Sequence, residues 1–147
     1  MKTFKTKLFS SAIGENERCI LSFAEASSTV LLDLGCDNGN WTFQLMKVIN
    51  PDIALGVDII ENTLTKAKKI IRPVRSDLNE PLPFKTASIG IIHANQVIEH
   101  LVDVDQFVEE IWRVLRPGGY VIVSTENLSS WHNIFALFLG KQAFSQH

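Results

Sequence analysis

Cysteine is scarce in this chain of 147 residues, and the two that are present form neither a CxxC pair nor a Cys/His zinc pattern. Cys19 and Cys36 are therefore not expected to hold a metal ion. A chain of this length can bury a hydrophobic core without a disulfide scaffold. We expect a single domain that works in a reducing cytoplasm.

Long apolar runs and a strong charge of one sign are also missing. No stretch approaches the roughly 20 apolar residues that span a bilayer, so we expect no transmembrane segment. The apolar part of the N-terminus, Leu8 to Ile13, is interrupted by Ser10 and Ser11 and is too short for the core of a signal peptide. The formal net charge is -2. This charge shows no general excess of basic residues, so no nucleic acid partner is expected.

What the sequence does contain is an alternation of short β-forming runs with amphipathic segments. The predicted strands cover Thr29–Leu34, Ala54–Val57, Ile70–Arg75, Ser88–His93 and Tyr120–Ser124. The predicted helices cover Glu15–Ala26, Trp41–Ile49, Thr63–Lys69, Asp103–Leu115 and Trp131–Leu139. This order predicts an α/β fold: a Rossmann-like, doubly wound, mainly parallel sheet with helices on both faces. Pro73 cannot donate to a strand ladder, so the third strand should lie at a sheet edge.

Ligands of such sheets bind outside the carboxyl ends of the strands, so the loop after the first strand is of special interest. Gly35 and Gly39 permit a tight turn and a close approach of a ligand to the backbone. The free N–H groups of the helix that follows favour an anionic group. Asp37 stands where a dinucleotide fingerprint has its middle glycine, and its charge would meet a pyrophosphate at close range. A zwitterionic amino acid would tolerate it better. The alternative is a plain strand–turn–helix connection.

Carboxylates follow the second and third strands as well. Asp58 lies 19 residues after Gly39, where an acidic residue can accept hydrogen bonds from both hydroxyls of a ribose. Asp77 could accept from an adenine amine, and the backbone N–H at Leu78 could donate to a ring nitrogen. The alternative for both carboxylates is an Asp that merely stabilises a turn.

At these positions the sequence resembles the class I S-adenosylmethionine-dependent methyltransferases of the type 11 kind. The matching segments are, in order, Val30–Gly39, Leu55–Ile59, Ser76–Asn79 with Pro81–Phe84, Ile91–Leu101 and Val114–Tyr120. Together they run from Val30 to about Thr125, two thirds of the chain. Five motifs in register are far more specific than any one of them.

The resemblance implies that the cofactor is S-adenosylmethionine, with S-adenosylhomocysteine as the product. Its methionine end would be held by Asp33, Gly35, Cys36, Asp37 and Gly39. Asp37 departs from the glycine that is commoner in the family. Because Asp tolerates a left-handed backbone better than most residues, we expect an altered affinity at most.

The remaining implied contacts follow the other strands. Asp58 would hold the ribose, and Ile59 would pack on the adenine. Asp77 and Leu78 would read the edge of the adenine ring. Asn95 and Gln96 would line the cofactor near the reacting sulfur.

The activity implied by the resemblance is methyl transfer to a small molecule, such as a quinone precursor, a sugar or a lipid intermediate. His100, next to Glu99, is the candidate base for a hydroxyl acceptor, although this pair could simply orient its loop. We expect His93 to be a core histidine with its hydrogen bonds satisfied. Two rival functions remain: a module that binds the cofactor without turnover, and an NAD-dependent oxidoreductase. The missing middle glycine and the lack of a Tyr-Lys or Cys catalytic pattern disfavour the oxidoreductase.

We divide the domain, residues 1–147, into an N-terminal helical segment (1–28), a cofactor-binding core (29–126) and a C-terminal helix (127–147). The predicted helix Trp131–Leu139 is apolar all round, which favours packing on the sheet over a cover for an apolar acceptor or a membrane-surface contact. Proteins of this kind usually continue with a two-stranded hairpin, which we expect this chain to lack. Its fifth strand would then be an exposed edge that pairs with a second copy in a homodimer.

Overall fold

A computed structural model describes residues 17–125, in which a parallel sheet carries helices on both faces. The strands are β1 (Val30–Leu34), β2 (Ile53–Asp58), β3 (Arg72–Arg75), β4 (Ile89–Asn95) and β5 (Leu115–Ser124). The helices are α1 (17–22), α2 (Asn40–Ile49), α3 (Glu61–Ala67) and α4 (Val104–Val114), with a 3-10 turn at Ile98–His100. The predicted fold class is confirmed.

The strand order is β3-β2-β1-β4-β5, so the direction of chain progression reverses between β1 and β4. Asp33 of β1 pairs with Gly56 of β2 on one side and with His93 of β4 on the other. Since every pair is parallel, the carboxyl ends of all five strands share one edge. A reversal of strand order at that edge opens the crevice in which such sheets bind ligands.

The two faces of the sheet bury separate sets of side chains. Helix α4 covers one face, where Phe107, Ile111 and Val114 pack with Leu32 and Ile92. On the other face, helices α1 and α2 enclose residues such as Ile20, Leu31, Leu45 and Ile122. Helix α3 adds a third cluster that contains Cys36, Leu64 and Ala67. Cys36 of the glycine turn thus packs against helix α3.

Local sequence signals explain where the helices begin and end. The Asp103 carboxylate accepts a hydrogen bond from the Gln106 N–H at 2.9 Å, which caps the start of α4. Asn50 ends α2 with a left-handed backbone (φ 53°), directly before Pro51. Both helices lie where the sequence predicts them, to within one residue.

Several predicted boundaries need correction, among them those of α3, which covers Glu61–Ala67 rather than Thr63–Lys69, and the end of β4, which lies at Asn95 rather than His93. Strand β5 begins at Leu115, five residues before the predicted start at Tyr120, because a bulge between Ile89 and Ile91 takes Pro117-Gly118-Gly119 into the strand. Helix α1 has ended by residue 23 rather than at Ala26. Strand β3 starts at Arg72 instead of Ile70, but it is an edge strand, as its proline predicts.

Several predictions fall outside residues 17–125, among them the helix Trp131–Leu139 and most of the N-terminal segment. Within the described range, no helix has both the length and the apolar content that a membrane crossing requires. The same residues contain no group of His, Cys, Asp and Glu side chains that could hold a metal ion.

A charged clamp fastens the loop after β3 to helix α4. Arg113 donates to both carboxylate oxygens of Glu110 at 2.6 Å and to the carbonyls of Leu82 and Phe84 at 2.9 and 2.8 Å. Glu110 accepts a further bond from the Leu82 N–H at 2.6 Å. The hydrogen bonds from Arg113 lower the pKa of Glu110 below the ordinary value of a glutamate.

Replacing Glu110 by Gln should lower the free energy of unfolding by about 1 kcal/mol near neutral pH, since the clamp is partly exposed to solvent. Because the folded-state pKa is lowered, the charged carboxylate stabilises the fold above the ordinary glutamate pKa. That stabilisation is lost as the pH falls through the lowered value. Thermal melts should show that the difference in melting temperature between the variant and wild type becomes smaller in acid. Glu109→Gln, on the exposed neighbour, is the matched control, and equal effects of the two variants would contradict the clamp.

Strand β5 forms one edge of the sheet within the described residues, and its Val121 and Val123 are 40% and 45% exposed. The homodimer through this edge stays a prediction. Light scattering should show a mass that rises toward twice the monomer value with concentration. A protein that stays monomeric at high concentration would count against it.

Candidate functional site

The turn between β1 and α2 is anchored to the end of β2 by its backbone. The N–H groups of Gly35 and Cys36 both donate to the Val57 carbonyl, at 2.8 and 2.9 Å. Gly39 closes the turn by donating to the Cys36 carbonyl at 2.9 Å. The turn takes a left-handed backbone at Gly35 (φ 74°), Asp37 (φ 45°) and Gly39 (φ 80°). Asp37 therefore adopts the conformation for which the family's glycine is suited, as expected for an Asp.

Gly35 is also required by a close contact with the loop after β4. A Cβ atom at this position would lie 2.7 Å from Cγ2 of Val97, a buried residue. Any side chain at position 35 would push the glycine turn and the β4 loop apart. This contact brings the turn next to Asn95 and Gln96, which precede Val97.

Asp58 joins the end of β2 to the glycine turn. One oxygen of its carboxylate accepts from the Asp37 N–H, and the other accepts from the Ile60 N–H, both at 2.9 Å. Asp58 is only half-buried. Each carboxylate oxygen has two acceptor positions, so both oxygens can accept one more hydrogen bond. Ile59 beside it is 52% exposed and presents an apolar side chain at the same edge.

Asp77 lies in the turn after β3. Its Oδ1 accepts from the backbone N–H and the side-chain amide of Asn79, both at 2.9 Å, which is the turn-stabilising alternative raised by the sequence. The backbone bond from Asn79 makes the largest contribution to lowering the pKa of Asp77. Asn79 in turn accepts from the Val102 N–H at 2.7 Å, so the β3 loop is tied to the loop after β4. Leu78, between Asp77 and Asn79 in the chain, is half-buried.

The end of β4 is held by a residue that the sequence analysis did not single out. The Ser124 hydroxyl of β5 donates to the Asn95 side chain, and the Ser124 carbonyl accepts from the Gln96 N–H at 2.8 Å. Gln96 has a left-handed backbone (φ 54°). The only sequence signal for Ser124 is its position at the end of a predicted strand. His100 closes the 3-10 turn beyond and is exposed.

The contact with the methionine end stays a prediction for Asp33, which lies beneath the turn. Its side chain is 2% exposed, and both of its oxygens have protein partners. Oδ1 lies 2.6 Å from Nδ1 of His93, and Oδ2 accepts from the Thr42 hydroxyl. A direct contact with a ligand would require this buried side chain to become exposed. His93 is the predicted core histidine, but only its Nδ1 has a partner among the described residues.

The sequence model of a family described as a methyltransferase domain matches residues 32–123, which include the carboxyl ends of β1, β2, β3 and β4. The chain belongs to this methyltransferase family. S-adenosylmethionine is the cofactor of the family.

Individual relatives agree with the family match. The chain is 37% identical over 97 residues to a probable S-adenosylmethionine-dependent methyltransferase of Mycolicibacterium smegmatis, covering 66% of this chain and 38% of that protein. It is 32% identical over 100 residues to a demethylmenaquinone methyltransferase of Lactococcus lactis, covering 63% of this chain and 40% of that one. The chain thus spans about two fifths of the length of these curated relatives.

Solved structures support the fold. An S-adenosylmethionine-dependent methyltransferase from Mesorhizobium loti superposes with a TM-score of 0.67 at 24% identity, covering 77% of this chain and 53% of the other. At this level of identity the likeness concerns the architecture alone.

The electrostatics of the methyltransferase turn fit this cofactor better than a dinucleotide. Burial, and after it the charges of Asp33, Asp58 and Asp37, raise the pKa of the Cys36 thiol to about 12. A turn with three carboxylates around it attracts the ammonium and sulfonium charges of S-adenosylmethionine and repels a pyrophosphate. The open N–H groups in the first turn of α2 are suited to the cofactor's carboxylate. The carboxylates and N–H groups of this turn therefore fit S-adenosylmethionine.

The two thiols of the methyltransferase chain should differ sharply in reactivity. Cys19 is exposed, whereas Cys36 is buried and its raised pKa keeps it protonated in mildly alkaline buffer. We expect a thiol reagent to label one cysteine quickly and the second only after unfolding. The variant Cys19→Ser should show no fast label. Rapid labelling of Cys36 in the folded variant would contradict the described environment of the turn.

Proposed function

We propose that this domain binds S-adenosylmethionine across the carboxyl ends of β1, β2 and β4 and transfers its methyl group to a small-molecule acceptor. The observation that carries the proposal is the position of Asp58. Its carboxylate faces the edge of the sheet, retains free acceptor positions, and holds the glycine turn through the Asp37 N–H. One side chain would thus bind the ribose and set its distance from the methionine end.

The cofactor supplies a methyl group on a positively charged sulfur, which is already electrophilic. The chain therefore has to bind, orient and exclude water, and a dedicated base is needed only for some acceptors. The glycine turn would hold the amino acid end, with Asp37 close to its positive charge. Ile59 would cover one face of the adenine, while Asp77 and Leu78 would meet its edge. Asn95 and Gln96 would border the reacting sulfur.

For an acceptor that must lose a proton, we propose His100 as the base. It lies two residues after Ile98 in the 3-10 turn, at the same edge of the sheet as Asn95, and histidine is the side chain that most often acts as a general base. Several relatives are demethylmenaquinone methyltransferases, which favours a quinone head group among the small acceptors. A panel of quinone, sugar and lipid acceptors with labelled cofactor would identify the class.

Cofactor binding is the first step to test, by calorimetric titration with S-adenosylhomocysteine and with NAD as the rival ligand. Wild type should bind S-adenosylhomocysteine saturably and NAD not at all. Asp58→Asn should weaken the binding about tenfold to a hundredfold, because hydrogen bonds to a charged group are lost. Asp52→Asn is the matched control, since Asp52 precedes the opposite end of the same strand and is exposed. That variant should bind like wild type.

The remaining outcomes separate the rival functions. Binding of NAD instead would indicate an oxidoreductase. Binding of S-adenosylhomocysteine without transfer to any acceptor of the panel would favour a module that keeps the cofactor fold without turnover. A folded wild type that binds neither ligand would overturn the proposal for this chain.

A further inference from the structure

A buried polar network lies directly beneath the cofactor turn. It consists of Asp33 of β1, His93 of β4 and Thr42 of α2, whose side chains are 2%, 1% and 0% exposed. The Asp33 carboxylate is the common partner: it accepts from the Thr42 hydroxyl and lies 2.6 Å from Nδ1 of His93. The edge of the Trp41 ring system meets the imidazole, with centroids 5.8 Å apart and planes at 85°.

Two residues of the network lie on either side of the glycine turn in the chain. Asp33 is two residues before Gly35, and Thr42 is three residues after Gly39. One carboxylate therefore ties both ends of the glycine turn together, and His93 ties them to the neighbouring strand across the reversal point of the sheet. The amide groups of Trp41 and Thr42, which have no backbone partner within residues 17–125, belong to the segment that this network holds.

Stability alone does not account for these residues. Burying a carboxylate is costly, and well-packed apolar residues commonly replace a buried charged pair with no loss of stability. The network also leaves a buried nitrogen without a partner, because Nε2 of His93 makes no hydrogen bond within the described part of the chain. Buried polar groups are nearly always paired in folded proteins, so an unpaired ring nitrogen is a cost to stability.

We propose that Asp33, His93 and Thr42 are positioning residues that hold the glycine turn and the first amide groups of α2 in the geometry that binds the cofactor. They act through the turn and do not touch the cofactor themselves. The inference rests on the proposed function for the ligand, but the geometry of the turn can be measured without any ligand.

The sharpest test compares Thr42→Val with Thr29→Val. Both replace a buried threonine by an apolar residue of similar shape, but Thr29 is 5% exposed at the opposite end of β1, away from the turn. Thr42→Val should weaken S-adenosylhomocysteine binding roughly fivefold to tenfold, the usual effect of one lost hydrogen bond to a charged group after partial relaxation. Thr29→Val should bind S-adenosylhomocysteine like wild type, even if its melting temperature falls as far as that of Thr42→Val.

Amide hydrogen exchange of the unliganded protein supplies the second readout. Exchange at residues 37–42 should be faster in Thr42→Val than in wild type and unchanged in Thr29→Val. A merely structural role would lower protection across the whole sheet in both variants and would leave the turn no more affected than the rest.

Two His93 variants test whether a hydrogen-bond donor to Asp33 is enough to keep the binding affinity. His93→Asn places an amide near the position of Nδ1 and can still donate to Asp33, so it should bind S-adenosylhomocysteine within about twofold of wild type. His93→Val removes the donor, leaves the carboxylate short of one partner, and should show the weakened binding and faster exchange of Thr42→Val. Thermal melts of each variant identify any that fail to fold.

Equal effects of the two threonine variants on affinity and on exchange would overturn the positioning role, and so would a Thr42→Val protein with wild-type values of both. If wild type binds no S-adenosylhomocysteine, the proposed function fails. The exchange rates at residues 37–42 then still decide whether the network holds the turn.

Discussion

The parallel arrangement of all five strands is the constraint on which the site depends. It brings the carboxyl ends of β1, β2 and β4 to one edge, with Asp33, Gly56 and His93 in a single row across the sheet. The order of strands reverses between β1 and β4, so two loops diverge there and leave a crevice. The contact between Gly35 and Val97 then sets how closely these loops approach.

Charge determines which ligand suits that crevice. Asp37 and Asp58 lie at its surface, and Asp33 lies beneath it. Burial, and after it these three carboxylates, raise the pKa of the Cys36 thiol, so the surroundings of the turn are negatively charged. Such surroundings favour a ligand with positive charge at its reacting end and disfavour a pyrophosphate. The same Rossmann-like architecture can therefore serve a methyl donor here and a dinucleotide elsewhere.

The carboxylates of the site also hold the loops in place. Asp58 binds two backbone N–H groups, Asp77 binds Asn79, and Asp33 binds His93 and Thr42. Asp58 and Asp77 are exposed enough to accept a further hydrogen bond from a ligand, whereas Asp33 is buried beneath the turn. Asp33, Asp58 and Asp77 thus have different roles. The difference between them is how far each side chain is exposed at the edge of the sheet.

Local patterns in the chain specify the alternation of strands and helices, the edge position of the proline-containing β3 and the left-handed turn with its Asp37. Each of these follows from local chemistry: side-chain periodicity, a missing N–H donor, or a tolerated backbone angle. Tertiary structure alone decided that Asp33 faces His93, that Ser124 holds Asn95, and that Gly118 and Gly119 enter a bulged strand. These contacts join residues 29 or more positions apart or depend on strand register, and no local pattern encodes which distant strand becomes a neighbour.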